Sequence, residues 1–395
     1  MGGGLVVSAT GVAPGHAPAK LEISPSEDRI RMPRLDDLPT PALLLDLDML
    51  EANLRWMADR TAQLGVALRP HVKTHKCIEV GRLQRDLGAQ GITVSTLAEA
   101  AAFAAAGFDD ITWAFPVIPS RLEEVRALAA RITLRLVVDG PEAVGALERL
   151  GVPLHVWLKV DCGYHRAGVD PSSPEAVRLA ARLSAARTLT FDGILSHSGH
   201  AYAGPTRREV RRAAEEERDT MTAFAATLKE HGIPVRAVSV GSTPAMCVID
   251  HLTGVTEARP GNYAFFDYTQ VLLGSCGVRN CALTVLSTVV SSQPGATHSV
   301  CDAGALALSK DRGHPAAHEP GMGEVFADYG TGALSPDTRL TALSQEHGKL
   351  STALPAGSRI RILPNHSCLT AACFDAYTVV RGEEVVDVWS IHRRR

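Results

Sequence analysis

The sequence predicts a (β/α)8 TIM barrel followed by a mainly antiparallel β domain. Two observations carry this. Between about residues 48 and 260, short apolar runs of strand character alternate with segments of helical spacing, and beyond about residue 280 the helical spacing largely stops. Strand–helix alternation implies a parallel sheet covered on both faces. Eight such units over about 220 residues suit a closed barrel, with an open doubly wound sheet as the alternative.

Each element has its own signal. Residues 1–33 are rich in Gly, Ala, Pro and Ser, show no period, and lack the basic start and apolar core of a secretory signal, so they read as a flexible tail. Residues 42–46 form a short apolar strand that can pair with the later β domain. Leu50, Leu54, Met57 and Leu64 recur at helical spacing and predict a helix over 49–64. Strands are expected at 66–72, 91–95, 111–115, 133–138, 154–160, 191–195, 235–240 and 255–259. Helices are expected at 97–106, 120–130, 141–150, 174–186 and 206–231. Further on, 281–291, 298–302, 359–363, 374–380 and 384–391 alternate as strands do. The chain thus divides into a tail (1–33), a barrel (48–280) and a β domain (34–47 plus 281–395).

Composition limits the function classes. Of 395 residues, 45% are hydrophobic and 21% charged, an ordinary globular balance. A net charge of -3 argues against nucleic acid as a partner. No apolar run approaches the roughly 18 residues that span a bilayer, so no membrane partner is expected. The eight cysteines include no CxxC pair and read as reduced thiols, which points to the cytoplasm.

Polar clusters fall at the expected carboxyl ends of the strands, where barrels carry their active sites. Arg69-Pro70-His71-Val72-Lys73-Thr74-His75-Lys76 ends the first barrel strand. There Lys73 is either an amine made nucleophilic by burial and neighbouring cations, or part of a solvated basic turn. Lys159-Val160-Asp161-Cys162-Gly163-Tyr164-His165-Arg166 ends the fifth, where Tyr164 or Arg166 can contact a cofactor ring, or simply form a Gly-bounded turn. After the sixth, His197 and His200 are open to three roles (metal pair, base or ring contact), or are structural. Gly241, Ser242 and Thr243 follow the seventh strand, and Gly261, Asn262 and Tyr263 the eighth. Small and hydroxylic residues at those two places suit a phosphate. In the β domain, His366 and Cys368 are expected on one side of an extended segment, as a metal pair or as buried strand residues.

Together these stretches resemble the D-threonine aldolase/D-serine dehydratase family of alanine-racemase-like, fold-type III pyridoxal 5'-phosphate (PLP) enzymes. Thr40-Pro41-Ala42-Leu43-Leu44-Leu45-Asp46, Gln345-Glu346-His347-Gly348 and Pro364-Asn365-His366-Ser367-Cys368 add to the likeness, which spans about residues 36–392. The resemblance implies that Lys73 carries PLP and that residues 241–243 and 261–263 hold its phosphate. It implies a divalent metal (zinc or manganese, with magnesium a further option) on His366 and Cys368. It also implies a homodimer acting on a small D-amino acid. The expected activity is that of a lyase on D-β-hydroxy amino acids. D-Threonine aldolase is favoured, with His197 or His200 as the base. D-Serine dehydratase and D-threo-3-hydroxyaspartate dehydratase are the alternatives, and an amino-acid racemase or a non-catalytic PLP-binding protein fits less well.

Overall fold

The computed structural model describes residues 34–315 and 321–393; the tail expected over 1–33 lies outside them. The chain opens with β1 (Ala42–Asp46) and enters the barrel through α1 (Leu47–Gln63). Asp46 makes this junction. One carboxylate oxygen accepts from Met49 N at 3.0 Å and caps the helix, while the other accepts from the Tyr329 hydroxyl at 2.9 Å. Leu50, Leu54 and Met57, placed by the predicted spacing, are fully buried. Each such side chain contributes about 1.5–3 kcal/mol by leaving water.

The barrel then runs β2 (Ala67–Leu68), α2 (Ile78–Asp86), β3 (Ile92–Val94), α3 (Leu97–Ala105), β4 (Asp110–Pro116), α4 (Leu122–Ala129), β5 (Thr133–Val138) and α5 (Pro141–Leu150). It continues through β6 (Leu154–Lys159), α6 (Pro174–Ala185), β7 (Leu189–Leu195), α7 (Arg207–Glu230), β8 (Ala237–Val240), α8 (Thr243–Val248), β9 (Glu257–Ala258) and α9 (Tyr268–Leu272). The eight strands from β2 to β9 form one parallel sheet in the order β2-β9-β8-β7-β6-β5-β4-β3. A parallel bridge between His71 and Thr93 joins its two edges, so the sheet closes on itself.

The helix α2 has no counterpart in the sequence reading. Its buried face carries Gly81 and Gln84 beside Ile78 and Val80, so large apolar residues do not mark it. Gly81 is there because Phe103 packs against it: a Cβ would sit 2.7 Å from the ring.

The second layer contains β10 (Leu283–Ser291), β11 (Ser299–Cys301), α10 (Ala305–Leu308), β12 (Gly323–Asp328), β13 (Ala333–Leu343) and β14 (Gly348–Leu350). It ends with β15 (Arg359–Leu363), α11 (Ser367–Ala371), β16 (Ala376–Arg381) and β17 (Glu384–Ser390). These strands and β1 make one nine-stranded sheet, antiparallel except where β1 runs beside β16. The strand at 42–46 therefore pairs with the β domain as expected. The strands β12, β13 and β14 escaped the sequence reading; β13, paired on both sides by β12 and β14, buries only Thr338 and Leu340 and shows little apolar alternation.

Candidate active site

The fold aims one turn of the chain into the barrel mouth. After β2, residues Val72–Thr74 form a single 3-10 turn carrying Lys73. The β domain fixes that turn from outside: the Tyr377 hydroxyl donates to His75 O at 2.7 Å, and His392 N donates to Lys76 O at 2.7 Å. A cavity of about 680 Å³ opens beside it, walled by both domains.

Of the residues singled out from sequence, Lys73, Arg166, His197, Gly241, Ser242, Thr243, Gly261, Asn262, His366 and Cys368 all line this cavity. Tyr164, His200 and Tyr263 do not. Tyr164 packs its ring against the Arg166 guanidinium and edge-on to His197, outside the lining. The 3-10 segment Gly199–Ala203 turns His200 away, so that its ring lies 4.0 Å from Glu216. Tyr263 is fully buried in the core, where its hydroxyl accepts from Gln84 Nε2 at 2.9 Å and its N–H donates to Thr243 Oγ1 at 3.0 Å. It props the 241–243 loop from behind rather than facing the cavity. Lys159, Arg259, Asp267, Gln270 and Asp311 also line the wall and were missed. Lys159 sat inside a stretch already noted, as the last residue of its strand; Asp311 had no sequence signal.

The cavity is cationic. Burial lowers the Lys73 amine below the usual lysine range, although the Cys368 sulfur partly offsets this. Burial, then the nearby Arg259, brings Lys159 down to about 8. His71 and His197 fall well below the ordinary imidazole value through burial and the charge of Lys73, so both are neutral near pH 7. The wall carboxylates are engaged: Asp267 accepts from Asn262 and Ser367, and Asp311 pairs with His366. Such a site favours an anionic occupant.

A phosphorylated aldehyde such as PLP fits these residues. Ser242 and Thr243 begin α8 on the wall, with Gly261 and Asn262 facing them. Gly241 adopts φ +104°, which favours glycine, and its N–H donates to the buried Glu217 at 3.2 Å, shaping the loop. Asn262 Oδ1 and Gln270 Oε1 are buried on the wall without a hydrogen-bond partner among the described residues. A bound molecule with donor groups would satisfy them.

The metal pair is joined differently from the sequence expectation. The segment is not extended through Cys368. His366 is extended at the N-cap of α11, and Cys368 lies in the helix's first turn. The two side chains still meet in a hydrogen bond. Burial opposes charge on both, but their attraction outweighs it, aided by Asp311 on the imidazole and Thr74 on the sulfur. The imidazole is driven up and the thiol down. Asp311 accepts from His366 Nδ1 at 3.0 Å, the carboxylate backing common to metal-binding histidines. Among the described residues no three His, Cys, Asp or Glu side chains converge to enclose a metal. Held by His366 and Cys368 alone, a metal would keep coordination positions open to water or substrate.

Residues 45–269 match the family described as alanine racemase, N-terminal domain, and residues 282–380 the putative serine dehydratase domain. The chain is 38% identical to the D-threo-3-hydroxyaspartate dehydratase of Delftia sp. (strain HT23), over 89% of this chain and 97% of that one. It is 36% identical to the D-serine dehydratase of Dictyostelium discoideum, over 89% and 96%. The solved Delftia enzyme superposes with a TM-score of 0.86 over 91% of this chain and 98% of that one. A cysteine-to-alanine mutant of that enzyme was solved metal-free, and a histidine-to-alanine mutant is altered two positions earlier, the spacing of His366 and Cys368. The D-threonine aldolase of Filomicrobium marinum superposes with a TM-score of 0.82 at 31% identity, over 92% and 98%.

Proposed function

We infer a function from one premise: the chain belongs to the D-threonine aldolase/D-serine dehydratase family of fold-type III PLP enzymes. It is therefore an enzyme from a family of D-amino-acid lyases. Within that family we read it as a dehydratase. It would take a D-β-hydroxy amino acid such as D-serine or D-threo-3-hydroxyaspartate to a 2-oxo acid, ammonia and no net water change.

One observation carries this reading. Lys73 and the His366–Cys368 pair are immediate neighbours, bridged by the 3.4 Å contact from Thr74 to Cys368. Elimination needs a base at the α-carbon and a Lewis acid at the β-hydroxyl in one place. PLP would stabilise electrons released at the α-carbon, and a divalent metal would polarise the leaving hydroxyl. Lys73, the cofactor's lysine, supplies the base: its lowered pKa lets the freed amine accept the α-proton at Nζ. Asp311 accepts from His366 Nδ1 and so fixes the ring that would hold the metal with Cys368. Arg166 and Lys159 attract the substrate carboxylate.

Aldol cleavage is the second reading, favoured by His197, a neutral imidazole on the cavity wall that can take the hydroxyl proton. It loses support from His200, which lies outside the lining. Product analysis separates the two. With PLP and a divalent metal, D-serine and D-threo-3-hydroxyaspartate should yield 2-oxo acid and ammonia. Glycine with an aldehyde, from D-threonine or either substrate, would establish the aldolase instead. A homodimer in a reducing compartment such as the cytoplasm completes the proposal, in keeping with eight unpaired cysteines.

A further inference from the structure

We propose that Thr74 is a positioning residue that ties the metal-ligand sulfur of Cys368 to the cofactor's lysine turn. Metal affinity is thereby set partly from the barrel side of the site. The inference rests on reading His366 and Cys368 as metal ligands.

Cys368 belongs to α11, in the β domain, yet its sulfur is met by two barrel side chains. Thr74 Oγ1 lies 3.4 Å from Sγ, and Asn262 Nδ2 lies 3.6 Å from it. The asparagine amide is already better engaged, donating to Asp267 at 2.7 Å and Ser367 at 2.9 Å. The threonine hydroxyl is thus the better placed donor for a thiolate. Its position is fixed. Thr74 is 1% exposed, and the neighbouring Gly261 leaves room for it: a Cβ there would come within 3.0 Å of Thr74 Oγ1.

A hydroxyl donating to a ligating sulfur orients it and moderates its charge. Outer-shell partners of this kind change metal affinity by about 10–100-fold. Asp311 does this for His366 and Thr74 for Cys368, so each ligand has one supporting group. Because Thr74 directly follows Lys73, the turn that holds the cofactor also holds the sulfur.

The test uses the PLP-saturated full chain without substrate. Zn²⁺ and Mn²⁺ are each titrated in competition with a chelating indicator. Thr74→Val should bind both about 10–100-fold more weakly with its PLP content unchanged, while Thr74→Ser, which keeps the hydroxyl, should stay within about threefold of wild type. If Thr74→Val does not retain PLP, Thr74→Ala tests the same loss. A wild type that binds metal and a hydroxyl-less variant that matches it would overturn the inference alone. A wild type that binds neither metal would overturn the metal reading, and this inference with it.

Discussion

Lys76 Nζ lies 2.6 Å from Glu99 Oε1, a carboxylate with no solvent exposure. The second oxygen of Glu99 accepts from Ser95 N at 2.8 Å, so this ion pair anchors the turn to the start of α3. Lys76 is held in the left-handed region at φ 48° while the pair forms. Lys76→Ala should leave a buried, uncompensated carboxylate and cost about 3–5 kcal/mol. Urea denaturation measures it. A loss under about 1 kcal/mol would mean that the pair contributes little to the turn.

His75 predicts how the fold responds to acid. Its Nδ1 accepts from Cys77 N at 3.1 Å, and its Nε2 lies 3.2 Å from Gln84 Oε1, an arrangement that suits the neutral ring. Burial lowers its pKa from 6.5 to about 3. Between those values the unfolded chain binds a proton that the folded chain refuses. This contribution to stability is therefore intact above about pH 6.5 and is lost as pH falls. His75→Gln should be less stable at pH 7, yet its stability should vary less steeply between pH 6 and 4, by about 1.4 kcal/mol per pH unit. Denaturation midpoints across that range test it, and an unchanged slope would contradict a buried neutral His75.

The proposal that residues 241–243 and 261–262 hold a phosphate gives opposite expectations for the hydroxyls of Ser242 and Tyr263. Tyr263→Phe removes only the bond from Gln84, so it should cost about 1 kcal/mol of stability and leave PLP affinity unchanged. Ser242→Ala removes a hydroxyl on the cavity wall and should weaken PLP retention several-fold. Equilibrium dialysis distinguishes them; equal losses would mean that Tyr263 reaches the ligand.

Asp311→Asn should keep PLP and weaken metal binding by about 10–100-fold, because the carboxylate backs the His366 ring. His366→Ala should lose metal and lyase activity together while PLP stays bound. Elemental analysis beside activity checks both. A fully active, metal-free His366→Ala would remove the metal from the account.

Much of this site was legible because its parts are contiguous. The Lys73 stretch and the loops at 241–243 and 261–262 each follow a strand, and a closed barrel brings strand ends together. Side-chain direction was not legible. His200 sits three residues from His197 and Tyr263 one from Asn262, both of which line the cavity, yet short 3-10 turns rotate both away. His366 and Cys368 were paired on the assumption of an extended segment, whereas the chain turns into α11 between them. Asp311 comes from a loop 55 residues upstream of His366, a distance that no local pattern spans. The helix α2 was hidden by a buried face that uses glycine and glutamine.

Lys73 as the lysine that carries PLP is the central claim. Borohydride reduction of the PLP-loaded enzyme, followed by proteolysis and mass spectrometry, locates the modified amine directly. A pyridoxyl group is expected on the peptide containing Lys73, on that residue and not on Lys76, whose amine is paired with Glu99. A label on Lys76 or Lys159, or undiminished labelling in Lys73→Ala, would contradict it.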